Sequence, residues 1–260
     1  MRNFSGVQRL VRKNYYLYRT TRTLAPYLCR YFNLEHGFEI LSQIYASEDS
    51  IALDVGSNDG TSIALITRNF GLTKIVSIDP VRAPLIPRNM LNLVDYRELS
   101  LGSKHETVQL YTPIVGGKKL TQYSSIDRDR ILNQLFHDLG LAKSKVSFKM
   151  KSYLSHTLDS LELNPFFIKI DTEGSELEIL RGSIGTIEKC LPIILVEIQS
   201  EDIYDDFLAF FDRMSYRNFN IEKINRGKIS LIESRNYDNR FNNFVWLPDK
   251  ASLNWRFLNE

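Results

Sequence analysis

Four carboxylates stand where short apolar runs end. Asp54 lies in IALDV (51–55), Asp79 closes KIVSID (74–79), Asp171 follows FFIKI (166–170), and Glu197 stands in IILVEI (193–198). After Asp54 the chain breaks into GSNDG (56–60), a glycine turn with a further carboxylate, Asp59. Such turns usually seat a nucleotide. Here the dinucleotide fingerprint G-x-G-x-x-G is absent, because three residues separate Gly56 from Gly60, and no Gly-Lys-Ser/Thr follows to make a phosphate loop. The charges agree: a carboxylate about 4 Å from a phosphate oxygen repels it by roughly 4 kcal/mol at an effective dielectric of 20. A nucleoside with a cationic end fits better, and S-adenosylmethionine is such a ligand. Asp54 would attract its sulfonium and ammonium end, Gly56 and Gly60 would let the main chain approach, and Asp79 would accept hydrogen bonds from both ribose hydroxyls. The plainer alternative has Asp54 and Asp59 only capping a helix that starts near Thr61.

Asp171, Glu173 and Glu197 form a second acidic cluster. Methyl transfer to a hydroxyl needs the acceptor oxygen positioned in line with the methyl group, and a base that takes the hydroxyl proton adds about 10² to 10⁴ in rate. Asp171 is the first candidate for that base or for an acceptor-orienting group, with Glu197 and His156 as alternatives. Glu176 reads as structural, since acids in the first turn of a helix stabilise its dipole by about 0.3–1 kcal/mol. No metal is assigned. A divalent cation held by Asp171, Glu173 and Glu197 is the open alternative. Cys190 and Met150 read as packing residues.

The elements that must position these groups alternate. Strands are expected at 51–55, 74–79, 93–99, 107–112, 145–154, 166–170 and 193–198, with a terminal set near 217–224, 228–233 and 241–247. Helices are expected from Thr61 to Phe70, over IDRDRILNQLFHDL before Gly140, from about Ser175, where Ser175 and Glu178 fit a capping box, and over DDFLAFFDRMSY. The segment TPIVGGKKLTQYSS (112–125) has no clear pattern and reads as a substrate-side lid hinged at Gly116 and Gly117, or else a solvated connector. This order predicts an α/β doubly wound sheet whose ligand site lies at the carboxyl ends of the central strands.

Composition narrows the classes. Of the 33 basic residues, seven fall in residues 1–34 with no acid beside them, leaving 26 basic against 31 acidic residues, a net of −5. The main domain therefore lacks a nucleic-acid footprint. The N-terminal segment is basic and helical in pattern, with Val7, Leu10, Val11, Tyr15 and Tyr18 on one face and a second helical stretch from Tyr27 to about Ala46. The expected organisation is an extension over 1–46 and a ligand-binding domain over 47–260. Two distant cysteines and four scattered histidines argue against a disulfide framework or a zinc site. No apolar run approaches a membrane span and no secretory signal is read, so a cytoplasmic protein is expected.

The motif series ALDVGSNDGTSIALI, IVSIDP, HTLDSL, FFIKIDTEGSELEILRG and PIILVEI resembles that of FkbM-type S-adenosylmethionine-dependent methyltransferases, in order from about Ile51 to Ile198. The resemblance implies a Rossmann-like, seven-stranded, mostly parallel sheet with an antiparallel C-terminal strand. It also implies O-methyl transfer to a sugar hydroxyl or a related small molecule. It places Asp54, Gly56, Ser57, Asn58 and Gly60 at the cofactor turn and Asp79 at the ribose. Ser57 stands where alanine is common. The competing readings are a non-catalytic scaffold on the same fold and a nicotinamide-dependent oxidoreductase. The partners expected are a glycan or small-molecule acceptor and no nucleic acid. The basic N-terminus would meet an anionic membrane surface, the main domain or a second subunit.

Overall fold

The structure, a computed structural model, describes residues 36–47, 50–70, 73–81, 86, 91–223, 229–250 and 255–258. The basic helix expected over 7–25, Cys29 and the turn at Asn225–Gly227 lie outside them. In chain order the strands are β1 (Ile44–Ala46), β2 (Ile51–Val55), β3 (Lys74–Ile78), β4 (Val94–Arg97), β5 (Ser100–Leu101), β6 (Glu106–Val115), β7 (Lys118–Lys119), β8 (Val146–His156), β9 (Pro165–Ile170), β10 (Ile193–Glu197), β11 (Tyr216–Lys223), β12 (Ile229–Glu233), β13 (Asn243–Pro248) and β14 (Trp255–Phe257). The α-helices are α1 (Thr61–Phe70), α2 (Arg128–Leu139), α3 (Glu176–Arg181), α4 (Ile184–Cys190) and α5 (Tyr204–Arg213).

The main sheet runs β12-β11-β13-β10-β9-β2-β3-β4. β4, β3, β2, β9 and β10 are parallel, β13 enters antiparallel between β10 and β11, and β12 pairs antiparallel outside β11. Among the described residues the sheet thus has eight strands where seven were expected. The eighth is the outer arm of the β11–β12 hairpin. Every residue of β9 is buried, as expected for a parallel strand covered on both faces. One face packs Leu53, Ile168 and Val196 against α3, α4 and α5; the other packs Ala52, Phe167 and Leu195 against α1 and the segment around Phe38–Leu41. Burying a residue such as Leu53 contributes about 1.5–3 kcal/mol.

Four expectations change. Residues 38–46 are not the end of a helix. They form a 3-10 turn (Phe38–Gln43) and β1, which pairs with β14. Gly37 before the turn has φ +101, and Phe38, Ile40 and Leu41 are buried against the sheet. The strands expected at 107–112 and 145–154 do not join the main sheet. They lengthen to β6 and β8 and pair along their whole length in a separate sheet ordered β5-β8-β6-β7. The expected lid is therefore the tip of a hairpin: Gly116 and Gly117 turn β6 into β7, and a 3-10 turn follows at Thr121–Tyr123. α2 packs on this ribbon through Ile131 and Leu135, meeting Leu120 and Tyr123 in a core of its own. Met150, expected to pack, is exposed on the ribbon. α2 matches expectation, with Asp127 accepting the Asp129 and Arg130 amides at its start and Gly140 closing it. No helix among the described residues is long and apolar enough to cross a membrane.

Candidate functional site

A cleft of about 1330 Å³ opens at the carboxyl ends of β2, β3, β9 and β10, between the main sheet and the inserted ribbon with α2. Its inner wall is the glycine turn. The Gly56 amide donates to the Ile78 carbonyl at 2.8 Å, and the Asp171 amide donates to the Val55 carbonyl at 3.0 Å. Gly56 has φ +83, and a Cβ there would lie 1.7 Å from the Asp171 carbonyl oxygen. Only glycine permits that approach. Asn58 holds φ +41, a conformation that costs a non-glycine residue free energy and recurs at ligand sites.

Asp79 stitches this turn to β3. Its Oδ2 accepts the Asn58 amide at 2.9 Å and its Oδ1 the Val81 amide at 2.7 Å, while the Tyr96 hydroxyl donates to its carbonyl. Ser57 lines the cleft, and its buried Oγ has no hydrogen-bond partner among the described residues. These features suit a ribose and adenosine seated on the turn.

Asp54 is placed differently from expectation. It is fully buried behind the turn and is not on the cleft wall. Its Oδ2 accepts the Ser62 hydroxyl at 2.7 Å, and the Lys169 ammonium lies 3.8 Å from Oδ1. Burial raises its pKa, and Lys169 and then Ser62 oppose that rise. Gly60 is likewise behind the wall. Asp59 does what the plainer reading assigned it, accepting the Thr61 amide at the start of α1.

The second cluster forms the floor. Carboxylate oxygens of Asp171, Glu173 and Glu197 lie within 4.8 Å of one another. Gln199 donates one amide to both Glu173 and Glu197 at 2.9 Å, and Gln134 of α2 donates to Glu173 at 3.0 Å. Arg130, also on α2, donates to the Gln199 side-chain carbonyl at 3.0 Å. The Lys169 ammonium approaches Asp171 Oδ2 at 3.1 Å. A cation cage needs inward-facing lone pairs, whereas this trio already faces amide hydrogens and an ammonium. The donor set therefore fits protons and hydroxyls better than a metal ion.

Three close carboxyls in a half-enclosed pocket cannot all ionise. Burial, then the charges of Asp171 and Glu173, push Glu197 well above the ordinary carboxylate range, and a hydrogen bond with Asp171 favours its protonated form. Burial and the Asp171 charge raise Glu173 to about 7, against the opposing effect of Gln199, Gln134 and Arg130. Glu173 also holds φ +58, with its carbonyl accepting the Ser125 hydroxyl.

His156 is not brought to this cleft. It ends β8, accepts the Gly102 amide with its carbonyl and stacks edge-on against His105, with ring centroids 5.3 Å apart. Ser175 makes no side-chain cap, so the expected capping box is absent. Glu176 replaces it: this buried carboxylate accepts the Thr172 and Gly174 amides and fixes the loop that presents Asp171 and Glu173. Glu178 instead accepts the Ser103 hydroxyl. Sequence reading missed Lys169, Arg130, Gln134 and Gln199. Lys169 had a readable signal, a lone charge inside the apolar run FFIKI, since a lysine buried on both sides must be paired. The other three depend on where the insertion folds back.

Comparison with known proteins agrees with this geometry. Residues 54–221 match the family described as the methyltransferase FkbM domain. Among solved structures, one similar chain is methyltransferase FkbM from Methylobacillus flagellatus KT, with 14% sequence identity and a TM-score of 0.45, covering 83% of this chain and 48% of that one. The chain thus spans about half the length of that relative. Another is precorrin-6y C5,15-methyltransferase from Geobacter metallireducens GS-15, with 11% identity and a TM-score of 0.32, covering 76% of this chain and 77% of that one. No curated protein matches the chain.

Proposed function

The chain belongs to the FkbM methyltransferase family, and from that premise we propose that it transfers a methyl group from S-adenosylmethionine to a hydroxyl of a sugar, glycan or related small molecule. The observation that carries this reading is the contact between the two parts of the cleft. The Gly56 backbone lies against the Asp171 carbonyl, so a donor seated on the turn has its reactive end beside the carboxylate trio.

When bound, S-adenosylmethionine supplies an electrophilic methyl group whose bond to sulfur breaks as the acceptor oxygen bonds to carbon. The protein's own groups do the rest. Asp79 and Ser57 hold the nucleoside, and the main chain of residues 56–58 shapes its seat. Asp171, kept charged by Lys169, takes the acceptor proton. Glu173, raised to about 7, and Glu197, pushed well above the ordinary carboxylate range, orient hydroxyls by donating and accepting hydrogen bonds. Amide side chains on the outer wall, Asn133, Gln134, Asn242 and Asn243 among them, suit a polyhydroxylated acceptor.

The test is calorimetric binding of S-adenosylmethionine, S-adenosylhomocysteine and NAD, followed by transfer of labelled methyl to a panel of glycans. Binding of both sulfur nucleosides and labelling of a glycan are expected. Binding of NAD in their place would overturn the reading, and binding without transfer to any acceptor class would favour a scaffold.

A further inference from the structure

Lys169 is 3% exposed one residue from the carboxyl end of β9, a strand otherwise wholly apolar. Its register sets it opposite Asp54 on β2. Its ammonium does not settle there. It donates to the Gly56 carbonyl at 3.1 Å and to Asp171 Oδ2 at 3.1 Å, and remains 3.8 Å from Asp54. Asp171 stands two residues further on, so both side chains leave the strand on one face.

We propose that Lys169 is a positioning residue that gives the trio's negative charge to Asp171 and ties that carboxylate to the turn that seats the methyl donor. The inference rests on the reading of Asp171 as proton acceptor and deepens it.

The groups around Asp171 show why one cation decides the matter. Asp54 faces it from β2, Glu197 from β10 and Glu173 from its own loop, with Asp79 beyond Asp54 at the end of β3. All are acids. The other cation near the trio, Arg130 of α2, is engaged with Gln199 and acts on Glu173. Lys169 contacts Asp171 directly, at 3.1 Å. Without it, burial and the neighbouring acids Asp54, Glu173 and Glu197 would favour a proton on Asp171, and the acceptor hydroxyl would lose its base. The same ammonium holds the Gly56 carbonyl, so the base and the donor seat share one anchor. Simple neutralisation of Asp54 is the rival account, and it predicts no effect on Asp171.

The experiment needs no acceptor. Full-length protein carrying ¹³C at Asp and Glu carboxyls is titrated by NMR, with assignments from Asp171→Asn and Glu197→Gln. In the wild type, Asp171 is expected to be charged at pH 7 while Glu197 still holds its proton. In Lys169→Met the Asp171 midpoint should rise by about 1–3 pH units, with Lys169→Arg close to wild type. Affinity for S-adenosylhomocysteine should fall about tenfold in Lys169→Met, with Arg again restoring most of it. A folded Lys169→Met with an unmoved Asp171 midpoint overturns the proposal, even if its melting temperature falls. Should that variant not fold, the wild-type titration decides: a neutral Asp171 beside a charged Glu197 is incompatible with the assignment. If S-adenosylhomocysteine fails to bind the wild type, the proposed function and the seat-coupling half both fall, while the titration still decides the charge assignment.

Discussion

The two walls of the cleft are built by different means. The donor side is main chain: strand ends of the central sheet laced by amide–carbonyl bonds between residues 55, 56, 78 and 171, with Asp79 fastening the turn. The acceptor side is side chain. α2 sends Arg130 and Gln134 inward from a unit with its own small core around Ile131 and Leu135. A backbone wall tolerates little change in shape, because any added atom meets another main chain. A wall of side chains on a separately packed helix can change its chemistry without disturbing the seat. Under the proposed function this arrangement divides the labour: one wall would keep a common donor and the other would select the acceptor.

The strongest test of that division is Gly56→Ala. Its Cβ would meet the Asp171 carbonyl at φ +83, so a loss of at least about 4 kcal/mol in stability is expected, or a folded protein without measurable affinity for S-adenosylhomocysteine. Ile131→Ala probes the other wall. Removing this fully buried side chain should cost about 3 kcal/mol within the inserted unit. Hydrogen exchange should quicken in β6, β8 and α2 while S-adenosylhomocysteine affinity holds; a parallel loss of affinity would break the comparison.

Where the walls meet, pH should report it. Glu173 titrates near 7 in the folded protein against 4.5 for the ordinary group, so the folded state binds more protons between those values. Its contribution is full below about 4.5 and is lost as pH rises through 7, which makes the protein less stable at pH 8 than at pH 5 through this residue. Glu173→Gln should remove about 2 kcal/mol of that difference, read as a smaller gap between melting temperatures at the two pH values. The smallest effect is expected at Gly117→Ala. Its φ of +76 is positive, as at Gly56, but a Cβ there would have no atom within 4 Å, so a cost of about 1–2 kcal/mol and unchanged binding would show that crowding, not the turn alone, makes Gly56 irreplaceable.

The same contrast explains what could be read from sequence. The central strands, the glycine turn, Asp79 and the Asp171–Glu197 floor were legible because each lies within a few residues of an apolar run whose period states its burial. Asp54 was legible as a strand-end acid but not as a fully buried one, since nothing local says which side of the turn faces the cleft. The pairing of β6 with β8 was not legible. It joins residues about forty apart around a helix, and alternation alone does not name a strand's partner. That missed pairing also hid Arg130 and Gln134 and carried His156 away from the cleft. Glu176 shows a third limit: an acid in the first helical turn suggested a dipole effect, whereas its carboxylate holds the preceding loop.

The β1–β14 pairing bears on how this molecule comes together in time. Ile44 lies against Phe257, Ala46 against Trp255, and Trp255 is buried in the cluster that also holds Phe38 and Ile40. The first of these residues leave the ribosome early and the last of them late. The apolar side chains of the segment before β2 therefore lack their β14 partners while the main sheet is synthesised. Closing so long a loop contributes only after the intervening sheet has shortened the distance between its ends. Until that pairing forms, the nascent domain carries an open apolar edge on the face of α1, a place where a chaperone or a neighbouring nascent chain could dock.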